Sequence, residues 1–305
     1  MLDKVKSIAT SFGEFVDSAV GEIVDSFTSD SGPPVRLVVA VNAVDKMGPG
    51  DWSTVTNCPS KAQEDNIDRR CSDIVRKLAN QTGLAKKQIA YYSALRRYRL
   101  YELLTCMIRA CPRGWVFPVN PKPWIELAAP NAQAAYKEMV SQQQSNSRTV
   151  PEDPYEKMLQ EISKKVSKKE YQEFKKKYDA ARAIPPKIAV FGQAGVGKTT
   201  TINALFNAGF KVGHTVPVTL KDQTYEVNLK EFGLESGGTL EIVDLPGYGV
   251  SKKDDETYYP IYRAVLPKTD VILLIMQADE RSMAEDQLMI NNILTWLKEI
   301  EFSAK

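Results

Sequence analysis

The stretch Gly192-Gln193-Ala194-Gly195-Val196-Gly197-Lys198-Thr199-Thr200 constrains this chain more than any other. It fits the pattern GxxxxGK(S/T), with an apolar strand-like run at 187–191 before it and a helical run at 200–206 after it. Polyphosphate presents several negative oxygens close together, so a site for it needs converging donors and no bulky side chains. Glycines let the backbone N–H groups of Gln193, Ala194, Gly195, Val196 and Gly197 curl around a β-phosphate. The following helix turns its positive N-terminus, with Thr200, toward the same place. Lys198 would bridge β- and γ-phosphates and the Thr199 hydroxyl would ligate Mg²⁺. A chance glycine-rich turn would lack the flanking strand and helix.

A second signal lies downstream. Asp244-Leu245-Pro246-Gly247 follows directly on the apolar run 239–243. Behind a phosphate loop, an aspartate at such a strand end holds Mg²⁺, usually through water, and the glycine three residues on offers its N–H to a γ-phosphate. The loop between the two motifs, Lys211 to Asp222, is expected to act as a switch in which a threonine hydroxyl reaches Mg²⁺. Thr219 is the first choice and Thr215 the second. The chain's one histidine, His214, lies in the same loop, and a lone loop histidine is more often incidental than catalytic.

The base is decided elsewhere. Asn42-Ala43-Val44-Asp45-Lys46 leaves the apolar strand-like run Val35 to Val41. The Asp45 carboxylate can accept both N1–H and N2–H of guanine, a pair that adenine does not offer. Ser93-Ala94-Leu95, just past the short run Gln88 to Tyr92, fits a loop whose backbone N–H receives guanine O6. Each motif is weak alone. Together, at two successive strand ends in a chain with a phosphate loop, they select GTP or GDP.

Along the rest of the chain, helices are expected at 61–82, 98–111, 155–183 (broken near Ser167) and 283–301, a hairpin at 224–229 with 239–243, and a buried strand at 271–276. Between 112 and 154 the pattern dissolves into Pro, Gln, Ser and Asn, which reads as a linker. The segments expected are thus 1–34, an amphipathic helical N-terminal piece; 35–128, a base-recognition half; 129–186, linker and lysine-rich helix; and 187–305, a phosphate-binding half. Alternation of strands and helices predicts an α/β three-layer fold around a mostly parallel six-stranded sheet, with helical appendages.

The motifs resemble those of the Era-like branch of translation-factor-type P-loop GTPases. Gly192 through Phe206, Asp244-Leu245-Pro246-Gly247-Tyr248-Gly249 and Asn42-Ala43-Val44-Asp45-Lys46 are most similar to prophage-type proteins labelled as ribosome-binding GTPases. The similarity spans roughly 35–115 and 187–300. In that family the phosphate loop comes first. Here the base motifs precede it, an order similar to that of circularly permuted GTPases of ribosome assembly. GTP hydrolysis is expected, and expected to be slow. Two departures bear on this: Ala43 stands where the family usually has a lysine whose stem covers the base, and Tyr248 stands where Ras-like proteins place a water-orienting glutamine.

Composition narrows the function classes. A formal net charge of +2 over 305 residues gives no sequence-wide pull toward nucleic acid or anionic membrane. Cys58, Cys71, Cys106 and Cys111 form no CxxC pair, which argues against zinc and for reduced thiols. No apolar run approaches the roughly 20 residues that span a bilayer, and the start of the chain lacks the signal-peptide pattern. A cytoplasmic location is expected. Residues 2–27 place an apolar stripe at helical spacing with Asp3, Glu14, Asp17, Glu22 and Asp25 opposite. That face is expected to dock on this domain, on a protein partner or on a second copy rather than on anionic lipid.

Three functions fit these residues: a GTP-hydrolysing switch for a partner, a nucleotide-binding assembly protein with little hydrolysis, and a ribosome- or RNA-associated GTPase using the lysines of 155–183. In that segment eight lysines and one arginine face five acids, so a solvated helix face outweighs the RNA reading.

Overall fold

A computed structural model describes residues 36–110, 134, 163–164, 166–182, 185–206, 224–228, 239–280 and 283–303. The expected N-terminal helix, most of the linker, Cys111, His214, Thr215 and Thr219 lie outside the described residues.

The elements are β1 (Arg36–Asn42), α1 (Lys61–Thr82), β2 (Ile89–Tyr91), α2 (Leu100–Ala110), α3 (Lys168–Arg182), β3 (Lys187–Gly192), α4 (Lys198–Phe206), β4 (Thr224–Asn228), β5 (Thr239–Asp244), α5 (Lys252–Val265), β6 (Val271–Gln277) and α6 (Ala284–Ser303). They build one six-stranded sheet in the order β2-β1-β6-β3-β5-β4. All neighbours are parallel except β4, which pairs antiparallel with β5 at the edge. This is the mostly parallel sheet with an antiparallel edge that the sequence predicts. The first two strands in the chain extend the sheet beyond the last one, β6, while the phosphate-loop strand β3 lies near the centre.

The uninterrupted apolar runs have a direct cause: both sheet faces are covered, so alternate residues of a strand enter opposite cores. Val38 and Ala40 of β1, Ile188 and Val190 of β3, and Val271, Leu273 and Ile275 of β6 pack with Leu103 and Met107 of α2 and Ile202 and Leu205 of α4. Their neighbours Val39, Val41, Ala189, Phe191, Ile272 and Leu274 pack with α1, α5 and α6, through residues such as Ile74, Tyr262 and Ile293. Three layers result.

Local signals set the helix ends. Ser60 caps α1 by accepting the Gln63 N–H, and Gly83, at φ 69°, ends it in the left-handed conformation with its N–H on Ala79 O. The break expected near Ser167 is present, because α3 starts at Lys168 and Tyr171 N–H reaches Ser167 O. Helix α5 was not legible in advance. It contains Pro260, which lacks a donor and disguises the helical pattern.

Candidate nucleotide-binding site

The strands carry their loops to one end of the sheet. From β3 the chain turns through Gly195 at φ 84° and Gly197 at φ 92° into the first turn of α4, where the leading amides have no intrahelical acceptor. A Cβ on Gly197 would lie 2.6 Å from Asn42 Nδ2. A side chain there would collide with the neighbouring motif. Gly247 is equally constrained: an added Cβ would meet Ala194 Cα and Lys198 Nζ, each at 2.7 Å. The Ala194 N–H donates to Tyr248 O at 2.8 Å, fastening the phosphate loop to the segment after Gly247.

Lys198 is almost fully buried and donates from Nζ to Gly192 O at 3.1 Å and Gln193 O at 2.9 Å. Burial lowers its pKa to about 8, against the pull of Asp244, which favours the charged form. Thr199 Oγ1 donates to Asp244 Oδ2 at 2.9 Å, so the two groups expected at a metal stand together. Burial raises the Asp244 pKa above the usual carboxylate value, opposed by the Thr199 hydroxyl and the Lys198 charge. Its other oxygen, Oδ1, is buried with no hydrogen-bond partner. A cation with bound water would satisfy that oxygen and reverse the cost of burying it. Among the described residues, no cluster of three His, Cys, Asp or Glu side chains forms a metal cage, so a metal here would rely on Thr199, Asp244 and phosphate oxygens, as Mg²⁺ does.

The base half reaches the same place from the other side of β6. Asn42, at the end of β1, donates from Nδ2 to Val196 O at 2.9 Å and accepts the Ala94 N–H at 3.1 Å. One side chain thus holds the phosphate loop and the Ser93-Ala94-Leu95 loop together. Behind it, Tyr92 Oη lies 2.8 Å from Thr201 Oγ1, which itself donates to Gly197 O at 2.8 Å. Asp45 sits in a short turn after Ala43, whose φ of 61° is the left-handed conformation. Its Oδ1 is buried with no hydrogen-bond partner, while Oδ2 lies 3.7 Å from Arg96 Nε. A base edge with two N–H donors would satisfy this carboxylate. Leu95 and Lys46 are both exposed.

Sequence reasoning missed three supports. Gln63, fully buried at the start of α1, donates to Met47 O at 2.8 Å and faces the carbonyls of Val44 and Asp45 at 3.3 Å each, fixing the turn that carries Asp45. Tyr262 of α5 donates to Pro246 O at 2.9 Å. Tyr248 is buried at 1% exposure, packs on Phe191 and donates to Asp286 Oδ1 at 2.5 Å. None of these contacts leaves a local trace, since each joins segments distant in sequence.

Residues 187–302 match the protein-family model described as 50S ribosome-binding GTPase. The uncharacterized protein YfjP of Escherichia coli K12 is 34% identical over 110 residues, covering 36% of this chain and 36% of that protein. YkfA of the same organism is 33% identical over 110 residues, with the same coverage. GTPase Der of Azobacteroides pseudotrichonymphae is 35% identical over 118 residues, which is 37% of this chain and 26% of Der. The chain thus spans about a third of the length of the first two relatives and less of the third. No solved structure matches it. No helix among the described residues is long and apolar enough to cross a membrane. The six-stranded, mostly parallel sheet with its covering helices and the match over residues 187–302 agree on one conclusion: the chain has an α/β fold of the P-loop GTPase kind.

Proposed function

We propose that this protein binds GTP and GDP with Mg²⁺, hydrolyses GTP slowly and serves as a nucleotide-dependent switch for a partner. Its halves would be circularly permuted relative to the usual P-loop GTPase order. The observation carrying the reading is the Asn42 side chain, which ties the loop of Val196 to that of Ala94 and so supports one continuous site for phosphates and base. Gln193 to Thr200 would cradle the phosphates, with Lys198 on the β- and γ-oxygens. Thr199 and Asp244, joined by Thr219, would hold Mg²⁺, which neutralises charge on the phosphates during transfer. Asp45 would read guanine, flanked by Asn42, Lys46 and Ser93-Ala94-Leu95, and Gly247 would donate its N–H to the γ-phosphate.

A second reading, a nucleotide-binding assembly protein with little hydrolysis, is favoured by one observation. Tyr248 is turned into the core onto Asp286, so it leaves no side chain at that position to orient water. Phosphate release from GTP with Mg²⁺, compared with release after Lys198→Ala, tests the enzyme reading. Release above the variant's level supports it, and equal release leaves the assembly reading. The partner, whether protein, second copy or ribosome, is to be sought by capture on protein loaded with a non-hydrolysable GTP analogue.

A further inference from the structure

The buried polar group that the nucleotide reading does not use is the carboxyl of Asp286, on the first turn of α6. It is 2% exposed. Tyr248 Oη donates to its Oδ1 at 2.5 Å; burial raises the Asp286 pKa above the usual carboxylate value, opposed by the Tyr248 and Gln193 side chains. Arg70 of α1 adds a favourable charge and Glu280 an unfavourable one. Burial and the nearby carboxylate hold the Tyr248 hydroxyl protonated well above its ordinary pKa, so it stays a donor.

Both residues that converge on Asp286 flank the phosphate site. Gln193 follows Gly192 in the phosphate loop, and Tyr248 follows Gly247. They are also paired to each other, by a parallel bridge between Gln193 and Tyr248 and by the Ala194 N–H on Tyr248 O. The gap between the two segments is closed to the point that Gly247 has no room for a Cβ against Ala194 and Lys198. A single buried acceptor on α6 therefore anchors the pair from behind.

We propose that Asp286 is a positioning residue that, through Tyr248 and Gln193, sets the spacing between Gly247 and the phosphate loop and so tunes the site for a γ-phosphate over a diphosphate. The proposal rests on the GTPase reading. Its physical content is that the Gly247 N–H serves a γ-phosphate only if Tyr248 is held down. GDP does not reach that N–H, so losing the anchor weakens GTP selectively. A buried hydrogen bond is also costly to leave half made.

The test compares full-length wild type with Tyr248→Phe, Asp286→Ala and Asp286→Asn. Tyr248→Phe keeps the ring that packs on Phe191 and removes only the donor, so it decides the matter even if Asp286→Ala fails to fold. Affinities for GDP and for a non-hydrolysable GTP analogue are measured with Mg²⁺, alongside melting. Hydrogen exchange of peptides covering 192–200 and 244–250 is followed without nucleotide. The expected result is a loss of about tenfold in analogue affinity for Tyr248→Phe and Asp286→Ala with GDP affinity nearly unchanged. Exchange should be faster in both peptides and unchanged in β1 and β6. Asp286→Asn, which still accepts from Tyr248, should restore the wild-type ratio. Equal losses for both nucleotides, or unchanged exchange with an unchanged ratio, would overturn the proposal. A wild-type protein that binds neither guanine nucleotide sinks the functional reading instead, and the exchange arm then decides the positioning claim alone.

Discussion

Asn42 Nδ2 donates to Val196 O across 154 positions of sequence at 2.9 Å, in a buried contact that closes the base motif onto the phosphate loop. The same side chain accepts the Ala94 N–H. Asn42→Ala removes both contacts and leaves a carbonyl and an amide without partners. Unsatisfied buried groups cost about 1–3 kcal/mol each, so melting should fall by several degrees and GTP affinity should fall with it. Asn42→Asp is the sharper variant, because it keeps the acceptor for Ala94 and loses the donor for Val196. Calorimetric melting and nucleotide titration of both variants check this; wild-type stability and affinity in Asn42→Ala would remove the clamp.

Lys198 is the side-chain cation that the phosphate loop contributes, and it already donates to two loop carbonyls. Lys198→Ala should therefore abolish tight triphosphate binding, since truncating one member of a buried charge pair typically costs about 2–5 kcal/mol. Affinity within about threefold of wild type, or roughly 0.7 kcal/mol, would contradict the assignment.

The burial of Lys198 adds a proton signature. Its pKa in the free protein is lowered to about 8, so above that pH the free protein carries the neutral amine. Phosphate oxygens favour the ammonium and raise the pKa on binding. The sign is fixed: binding takes up a proton above pH 8 and not well below it, and affinity weakens as pH rises through that value. Titration calorimetry in two buffers of different ionisation enthalpy at pH 8.5 should show net uptake, and the same pair at pH 6.5 should show none from this group. Net release at pH 8.5 would contradict the account.

Hydrolysis by the isolated protein should be slow, near or below the ~10⁻³ s⁻¹ scale of unassisted Ras-type enzymes, because the residue after Gly247 cannot hold the attacking water. The reason is geometric as well as chemical: Tyr248 points into the core and is spoken for by Asp286. Single-turnover phosphate release from dilute protein measures this. A rate many times higher in sodium buffer would show that another group orients the water.

Much of this was legible in sequence because the fold repeats local rules. The nearly continuous apolar runs read at 35–41, 187–191 and 271–276 correspond to strands β1, β3 and β6, which are buried on both faces. Helix α1 was bounded at both ends by a serine cap and a left-handed glycine. Helix α5 was missed because Pro260 and three acids among its first residues break the apolar pattern, although Ser251 accepting from Asp254 N–H is a cap signal of the ordinary kind. Gln63 and Asp286 were invisible for a different reason. Each is a polar residue on a helix, ordinary by type, and becomes a support only when a partner 16 or 38 positions away arrives beside it. The threonine choices at 219 and 215 and the helix over 2–27 lie outside the described residues.

The central claim is that the two halves compose one guanine site, and Asp45 carries its specificity. Its Oδ1 is buried and unpaired, a state that two N–H donors of guanine would relieve and adenine would not. The deciding measurement is the competition of GTP, ATP and xanthosine triphosphate for the Mg²⁺-loaded site, in wild type and in Asp45→Asn. Wild type should prefer GTP strongly over both competitors. In Asp45→Asn, GTP should weaken by about 1.5–3 kcal/mol, roughly 10- to 150-fold, while xanthosine triphosphate gains because the new amide donates to O2 of xanthine. Equal binding of ATP and GTP by wild type, or an unchanged preference in Asp45→Asn, would contradict the account.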